Sequence, residues 1–394
     1  MRTSLVLLAL FVSSNAYALE IAGDVRADGR VFLAAPRHLG QRLGTAPSVA
    51  ISPIASVQTD DLTHTLTVQP FLRVDAADAA RTHWDLRQAD YQFATGGFSF
   101  GAGIGTFTSG VLDTHRVVDV VNQRDLVEDL DGSVKLGQPY VGIGYATGPW
   151  AFTFQYLPYH RKRTFPGERG RLRFPLLVDD DEVLYESKLG PWHPSFAARA
   201  SVATGPFDIG VSGFSGLSRE PRFFGQIFDA SAVVPQYDFL QQAAVDAQWT
   251  LDALIIKGEA AARWWSKDLR FFVAAGGGAE YHFYDLWGTG ADLAFLAEYH
   301  FDGRAPDAPV AFFDNDVVTG LRLAINDTGD TQFIAGVVRD LANTATYARA
   351  QIFRRFGDRW RAALEARMFL GQEGQLESGL LDDDYLQGSV VYFF

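Results

Sequence analysis

Cysteine is absent from the 394 residues, which excludes disulfides, thiolate metal centres and a lipid-modified N-terminal cysteine. Long apolar runs are absent too. Nothing approaches the roughly 18 uninterrupted apolar residues of a spanning helix, so a helical membrane protein is excluded. Lysine is scarce, five residues against 29 arginines, a bias toward rigid guanidinium forks that hold carboxylates or phosphates in fixed geometry. Positive charge is in deficit, with 47 acidic residues against 34 basic ones and a net charge of −13. That balance argues against nucleic acid as a partner, which demands a basic footprint. Catalytic signatures are missing as well: there is no Gly-x-Ser-x-Gly elbow and no His-Glu-x-x-His helix, so no enzyme is expected and no cofactor or metal centre is assigned. Gly101-Ala-Gly-Ile-Gly105 sits inside an alternating segment with no helical pattern after it, and reads as strand glycine rather than a nucleotide loop.

What is present is alternation. Leu66, Val68, Pro70 and Leu72 alternate with Thr65, Thr67, Gln69 and Arg73, and Phe152, Phe154 and Tyr156 with Thr153 and Gln155. Leu293, Phe295, Ala297 and Tyr299 do the same against Asp292, Glu298 and His300, as do Ala362, Leu364, Ala366 and Met368 against Arg361, Glu365 and Arg367. A wall between lipid and water has this two-residue period, and a mean hydropathy of −0.01 is what such walls average to. A soluble sandwich also alternates, but a chain this long would leave many open edges, which closure removes.

The connections alternate between short and long. Phe93-Ala-Thr-Gly-Gly-Phe98, Tyr145-Ala-Thr-Gly-Pro-Trp150 and Val202-Ala-Thr-Gly-Pro-Phe207 are tight hairpins flanked by aromatic or apolar residues, and Asn326 to Gly329 and Phe356 to Arg359 are similar. Their aromatics suit an interface girdle, which places these turns on the periplasmic side. Long connections fall opposite: Asp28 to Ala46, Thr108 to Gln138, His160 to His193, Gly216 to Asp238, Gly303 to Pro309 and Gly371 to Asp384. The pattern predicts an all-β, transmembrane, antiparallel up-and-down β-barrel of about 18 strands, with 16 as the fallback, because strand number is even when both ends share a side.

Arg2, the apolar Leu5 to Val12 and the small-x-small site Ala16-Tyr17-Ala18 predict a secretory leader over residues 1–18, leaving a barrel over 19–394. Its removal takes one basic residue and no acidic one, so the net charge goes from −13 to −14. The last strand ends Val390-Val391-Tyr392-Phe393-Phe394, with Leu386, Val390, Tyr392 and Phe394 on one face and Gln387 and Ser389 on the other. The terminal Phe394 resembles the C-terminal signature that the barrel-insertion machinery reads, which together with the leader implies the outer membrane of a Gram-negative bacterium.

If the apolar stripe faces lipid, the polar stripe lines a lumen. Arg322, Arg349, Arg361 and Arg367 then form a positive stripe, with structural ion pairing as the alternative role. The loop Thr108 to Gln138 carries Asp113, Asp119, Asp125, Glu128, Asp129 and Asp131 with His115, Arg116 and Arg124, and an apolar Val117-Val118-Asp119-Val120-Val121 that an exposed loop has no reason to keep. Folding it into the barrel buries that stretch and sets acidic groups against the arginines, a constriction that sorts solutes by charge and size. An ordinary surface loop is the alternative.

The segment Tyr159 to Arg173 is strongly basic and is expected to meet lipopolysaccharide outside. The runs Asp179-Asp180-Asp181-Glu182 and Asp382-Asp383-Asp384 offer hard oxygen ligands for a divalent cation, though solvated loop charge is the commoner role.

Trp84-Asp-Leu-Arg87, the Gly-rich strand Phe98 to Phe107, Asp119-Val-Val-Asn-Gln-Arg-Asp125 with Asp129 beyond it, and Trp150 to Tyr159 resemble the outer-membrane barrels that include alginate-export-type channels. The resemblance implies that Asn122, Arg124 and Asp125 position an inward loop. The expected function is passive diffusion of small hydrophilic, anionic solutes; a dedicated export pore for an acidic polysaccharide, or a barrel with enzymatic or adhesive loops, are the alternatives. Monomer and homo-oligomer both stay open.

Overall fold

Segments that alternate apolar and polar side chains must separate two media, and here enough of them lie side by side to close on themselves. The structure, a computed structural model, describes residues 17–225, 232–343, 345–371 and 379–394. In chain order the strands are β1 Tyr17–Phe32, β2 Thr45–Thr59, β3 His64–Asp75, β4 His83–Thr95, β5 Phe98–Gly105, β6 Gln138–Thr147, β7 Trp150–Leu157, β8 Leu177–Val178, β9 Leu184–Tyr185, β10 Ser195–Thr204 and β11 Phe207–Leu217. They continue with β12 Arg222–Gly225, β13 Ala232–Tyr237, β14 Phe239–Leu251, β15 Leu254–Trp265, β16 Arg270–Phe283, β17 Asp292–Asp302, β18 Asn315–Ala324, β19 Gln332–Asp340, β20 Thr346–Phe356, β21 Trp360–Leu370 and β22 Tyr385–Phe393. Strands β8, β9, β12 and β13 make a small sheet of their own, and the other 18 form one antiparallel barrel. Closure is by β1 against β22, with Asp24 opposite Phe393 and Phe32 opposite Tyr385. Gly23 and Phe394 exchange backbone hydrogen bonds at 3.1 Å. The strand number is the larger of the two expected.

At one end the strands are joined by the short connections 60–63, 96–97, 148–149, 205–206, 252–253, 284–291, 325–331 and 357–359, and Phe393, beside the turn at Arg359, lies there too. The Thr-Gly turns put Gly96, Gly148 and Gly205 at φ of 55°, 54° and 57°, a left-handed conformation that glycine adopts without steric cost. Aromatic pairs mark this end: Phe98 with Tyr145 at 4.5 Å, Phe207 with Trp249 at 5.5 Å and Trp360 with Tyr392 at 4.8 Å between ring centroids. The opposite end carries every long connection expected and also 76–82, 266–269 and 341–345, too short to stand out in the sequence.

The outer face shows Phe152, Phe154 and Tyr156 on β7 and Leu364 and Met368 on β21, while Glu365 and Arg367 on the inner face are buried. A cylinder with that exterior is stable in hydrocarbon, not in water. Among the described residues no helix is long and apolar enough to cross a membrane; the strands do the crossing. The leader expected over residues 1–18 lies outside the described residues except for Tyr17 and Ala18, which begin β1.

The core of the molecule is inside the barrel. Ala244, Ala261 and Ala274 stand side by side on β14, β15 and β16, a row of small side chains on which Val117 and Val118 pack. A second cluster gathers Val121, Tyr140, Leu157, Phe214, Leu240, Trp265 and Phe272. The loop between β5 and β6, residues 106–137, therefore enters the lumen and supplies its own apolar core.

Candidate functional site

The loop is fixed first by carboxylates of the wall. Glu259 on β15, 4% exposed, accepts the backbone N–H groups of Val111 at 2.6 Å, Leu112 at 2.9 Å and Val118 at 3.2 Å. Glu298 on β17 accepts those of Asp113 at 2.8 Å and Thr114 at 3.2 Å, and the Thr114 hydroxyl donates to it as well. A loop has no strand partners for its N–H groups inside a lumen, and these two carboxylates take that place. The loop also needs room: Gly110, at φ +97°, has the Glu259 carboxylate where a Cβ would stand, 2.3 Å away, and a Cβ on Gly276 would meet Leu112 at 2.6 Å. On the acceptor side, Arg263 of β15 donates to Val117 O at 2.7 Å, and Lys257 reaches Asp113 at 2.5 Å.

Ion pairs hold the far end. Arg73 of β3 bonds Glu128 through both Nε (2.7 Å) and Nη2 (2.8 Å) and pairs with Asp28 at 2.8 Å. Arg87 of β4 meets Asp125 at 2.5 Å, and Thr164 donates to the same carboxylate at 2.7 Å. Burial alone would raise the Asp125 carboxyl, but a hydrogen bond from His83 and the charge of Arg87 outweigh it and hold the group down at about 2. Arg367 grips Asp129 with two bonds of 2.6 Å, and Arg349 lies 2.6 Å from Glu365 and 3.3 Å from Asp131.

The cavity left beside the loop has a volume of about 1170 Å³ and runs along the β17–β21 wall up to the long loops. Asp113, Asp119, Asn122, Arg124, Arg322, Arg349 and Arg367 line it. Asp125 and Asp129 do not: the first is wholly buried and the second is held by Arg367. Nor does Arg361, which stacks 3.9 Å over the ring of Phe353. The stripe expected on the last strands is thus divided: Arg349 and Arg367 bind the loop directly, where a field across open water had been expected, and Arg322 stays half exposed, 3.8 Å from Glu280. Asn122 closes the neck of the loop, accepting from Phe107 N–H and donating to Gly105 O and Leu136 O. Asp119 pairs with Lys135 at 2.5 Å and Arg124 at 3.2 Å.

The basic segment 159–173 turns much of its charge inward. Arg163, Arg171 and Arg173 are buried. Arg161 holds Asp85 at 2.7 Å and Arg171 holds Asp383 at 2.6 Å; of the set, Lys162 and Arg169 stay exposed. The segment is itself a lid on the lumen, and the acidic run 382–384 serves it as an ion-pair partner. Among the described residues no group of three His, Asp or Glu converges as metal ligands would.

Sequence reasoning missed two features. One is the apolar arc of the inner wall, where Leu296, Val318, Ile334 and Val338 flank Gly320 and Gly336. Its signal was available in Val317-Val318 and Val337-Val338, where alternation breaks because both faces are apolar. The other is the cluster of Arg219, Glu220 and Arg304 from two loops, for which no local pattern exists.

No family model and no curated protein matches the chain. Solved structures do. One is Wzi of Escherichia coli, described as an outer-membrane protein involved in group 1 capsule assembly and a carbohydrate-binding β-barrel; it superposes with a TM-score of 0.55 over 94% of this chain and 84% of its own, at 10% identity. Another is OpdQ of Pseudomonas aeruginosa, with a TM-score of 0.53 over 96% of this chain and 97% of its own, at 12% identity. At such identities the shared property is the fold, that of outer-membrane β-barrels.

Proposed function

We propose that the chain is an outer-membrane channel of a Gram-negative bacterium through which small hydrophilic anions diffuse passively past the inward loop. The observation that carries this reading is the sign of the lining. Twelve Arg and Lys residues and seven Asp and Glu residues line the cavity, in a chain whose net charge is −13. The protein is acidic while its water-filled path is basic, an arrangement that concentrates anions in a low-dielectric tube. The likeness to other barrels supports passage or sugar binding without choosing a solute. A cleaved leader over residues 1–18 and recognition of Phe394 by the insertion machinery belong to the same reading.

The test is a reversal potential in planar bilayers under a KCl gradient, with the purified full-length barrel. Anion selectivity is expected, reduced in Arg322→Gln, which frees no loop contact. Cation selectivity would overturn the reading. A pore closed until an acidic oligosaccharide is added would favour a dedicated export pore, and a silent barrel would favour binding or enzymatic loops.

A further inference from the structure

The upper part of the cavity contains more positive charge than its protein partners neutralise. Arg163, Arg219, Arg263 and Arg304 converge from the 158–194 loop, the 218–238 loop, β15 and the 303–314 loop, and all four line the cavity. Two carboxylates face them. Glu220 lies 2.8 Å from Arg304 and 3.6 Å from Arg263, and Asp302 lies 2.6 Å from Arg304. The remaining donors are met by neutral acceptors: Arg163 bonds Gln123 Oε1 at 3.1 Å and Arg219 O at 2.9 Å, and Arg263 bonds Gln242 Oε1 at 2.8 Å.

Arg219 is the clearest case. It is 4% exposed, donates Nε to Val121 O and Nη1 to Leu217 O, each at 2.9 Å, and its Nη2 has no partner. Burial lowers its guanidinium to about 10, still a cation at neutral pH; burial would raise the Glu220 carboxyl, but the charges of Arg304 and Arg263 outweigh it and hold that group well below the usual carboxylate range. Apart from the Phe214 ring, 5.4 Å from its guanidinium carbon, nothing among the described residues offsets this buried cation, and its free donor at the edge of the cavity favours an anion there.

The surroundings specify what kind of anion. His115 stacks on Phe313 at 4.9 Å between centroids, and the imidazole lies within electrostatic reach of Glu220, Arg263 and Arg124. Burial pushes that imidazole down to about 3, so it is a neutral ring surface at physiological pH. Phe312 stacks on Phe174 at 6.1 Å, both on the cavity, and the apolar arc of Leu296, Ile334 and Val338 continues below. Water-soluble inorganic ions gain nothing from such a surface, whereas a ring-bearing solute buries apolar area on it.

We propose that this arginine cluster and the adjoining aromatic surface form a saturable binding station for an organic carboxylate that carries an apolar ring. The proposal deepens the channel reading and rests on it for its physiological sense, but its central measurement is independent of conduction. Isothermal titration of the detergent-solubilised full-length barrel with sodium benzoate, sodium acetate and inorganic phosphate gives the expected ranking: benzoate at least tenfold tighter than either of the others. Arg219→Gln should weaken benzoate at least tenfold. Phe313→Leu, which keeps the side chain apolar and removes the ring, should bring benzoate to the level of acetate and leave acetate unchanged. Benzoate no tighter than acetate in the unmodified protein overturns the proposal, a result that stands even if Arg219→Gln does not fold. Phosphate equal to benzoate also overturns it, since a bare oxyanion site would then suffice. A cation-selective reversal potential with tight benzoate binding would instead defeat the channel reading and spare the station.

Discussion

Two arcs of the same cylinder treat the lumen in opposite ways. From β14 to β17 the inner wall offers Ala244, Ala261 and Ala274 as a shelf and Glu259 and Glu298 as acceptors, and the 106–137 loop lies on it. Across β18 and β19 the inner wall offers Val318, Gly320, Ile334, Gly336 and Val338, and the cavity lies on that arc. The first arc pairs small residues with carboxylates, so it can approach a backbone closely and satisfy its N–H groups. The second presents Val, Ile and Gly between Arg322 near one end and Asp316 and Asp340 near the other, and its apolar side chains cannot bond a loop backbone. Position of the path is thus decided by where the wall fails to bind its own plug, rather than by a gap in the barrel.

The comparison breaks most completely at Glu259. Three backbone N–H groups depend on one carboxylate, and charged hydrogen bonds contribute about 1.5–3 kcal/mol each, so Glu259→Ala should cost the docked loop roughly 4.5–9 kcal/mol. The expected outcome is a severalfold rise in single-channel conductance and new trypsin cleavage at Arg116 or Arg124 in the folded barrel. Unchanged conductance and protease resistance would mean that the apolar shelf alone holds the loop.

Arg367→Ala comes next. It strips the Asp129 carboxylate of both short bonds and leaves it half-buried beside Asp131, at a cost of about 3–4 kcal/mol by the measure of broken buried pairs. Arg349 remains near Asp131, which is why the effect is smaller than at Glu259. A double-mutant cycle with Asp129→Ala, read from urea unfolding in detergent, should show strong coupling. Additivity would place the loop's anchorage elsewhere.

Much of this was legible in the residues, for physical reasons that also explain what was not. Alternation reports the medium on each side of a strand, so the barrel, its even strand number and its lipid face could be read from Phe152, Phe154 and Tyr156 or from Leu364 and Met368. The inward loop was legible because Val117 and Val118 need burial. Partner choice was not. Nothing local tells that Asp125 will meet Arg87, or that Arg349 and Arg367 will close on the loop rather than face the solute, because those pairs are set by how far a loop reaches across a lumen. Basic charge in 159–173 was read as exposed because buried arginine is rare; here several acids and carbonyls from other loops receive it, and only the fold brings them there.

Acid should loosen the docked loop gradually, at its far end on β4. Asp125 is held at about 2 against an ordinary 3.8, a depressed carboxyl whose contribution is complete above pH 4 and is lost as the pH falls through the folded value. The depression corresponds to about 2.5 kcal/mol for this fully buried group. Conductance should therefore stay flat from pH 7 to 5 and begin to rise below 4. Asp125→Asn removes that step. A rise already complete at pH 5 would show that some other group governs docking.

The smallest effect belongs to the open arc, and it sharpens the comparison by leaving the loop alone. Ile334 is exposed to the cavity on β19 opposite Arg322 and Gln351, and none of the loop's ion pairs involves it. Ile334→Glu adds a negative charge to the conducting path without touching Glu259, Glu298 or Arg367. Across about 8 Å of water that charge changes the energy of a passing anion by roughly 0.5–1 kcal/mol, a factor of two to five in permeability ratio. Anion preference should fall by that factor while protease resistance of the loop stays as it was. An equal substitution on the docked arc, Ala261→Glu, should do the reverse, dislodging Val117 and Val118 before it alters selectivity. If both variants changed selectivity alike, the loop would not be dividing the lumen, and the path would have to run on both sides of it.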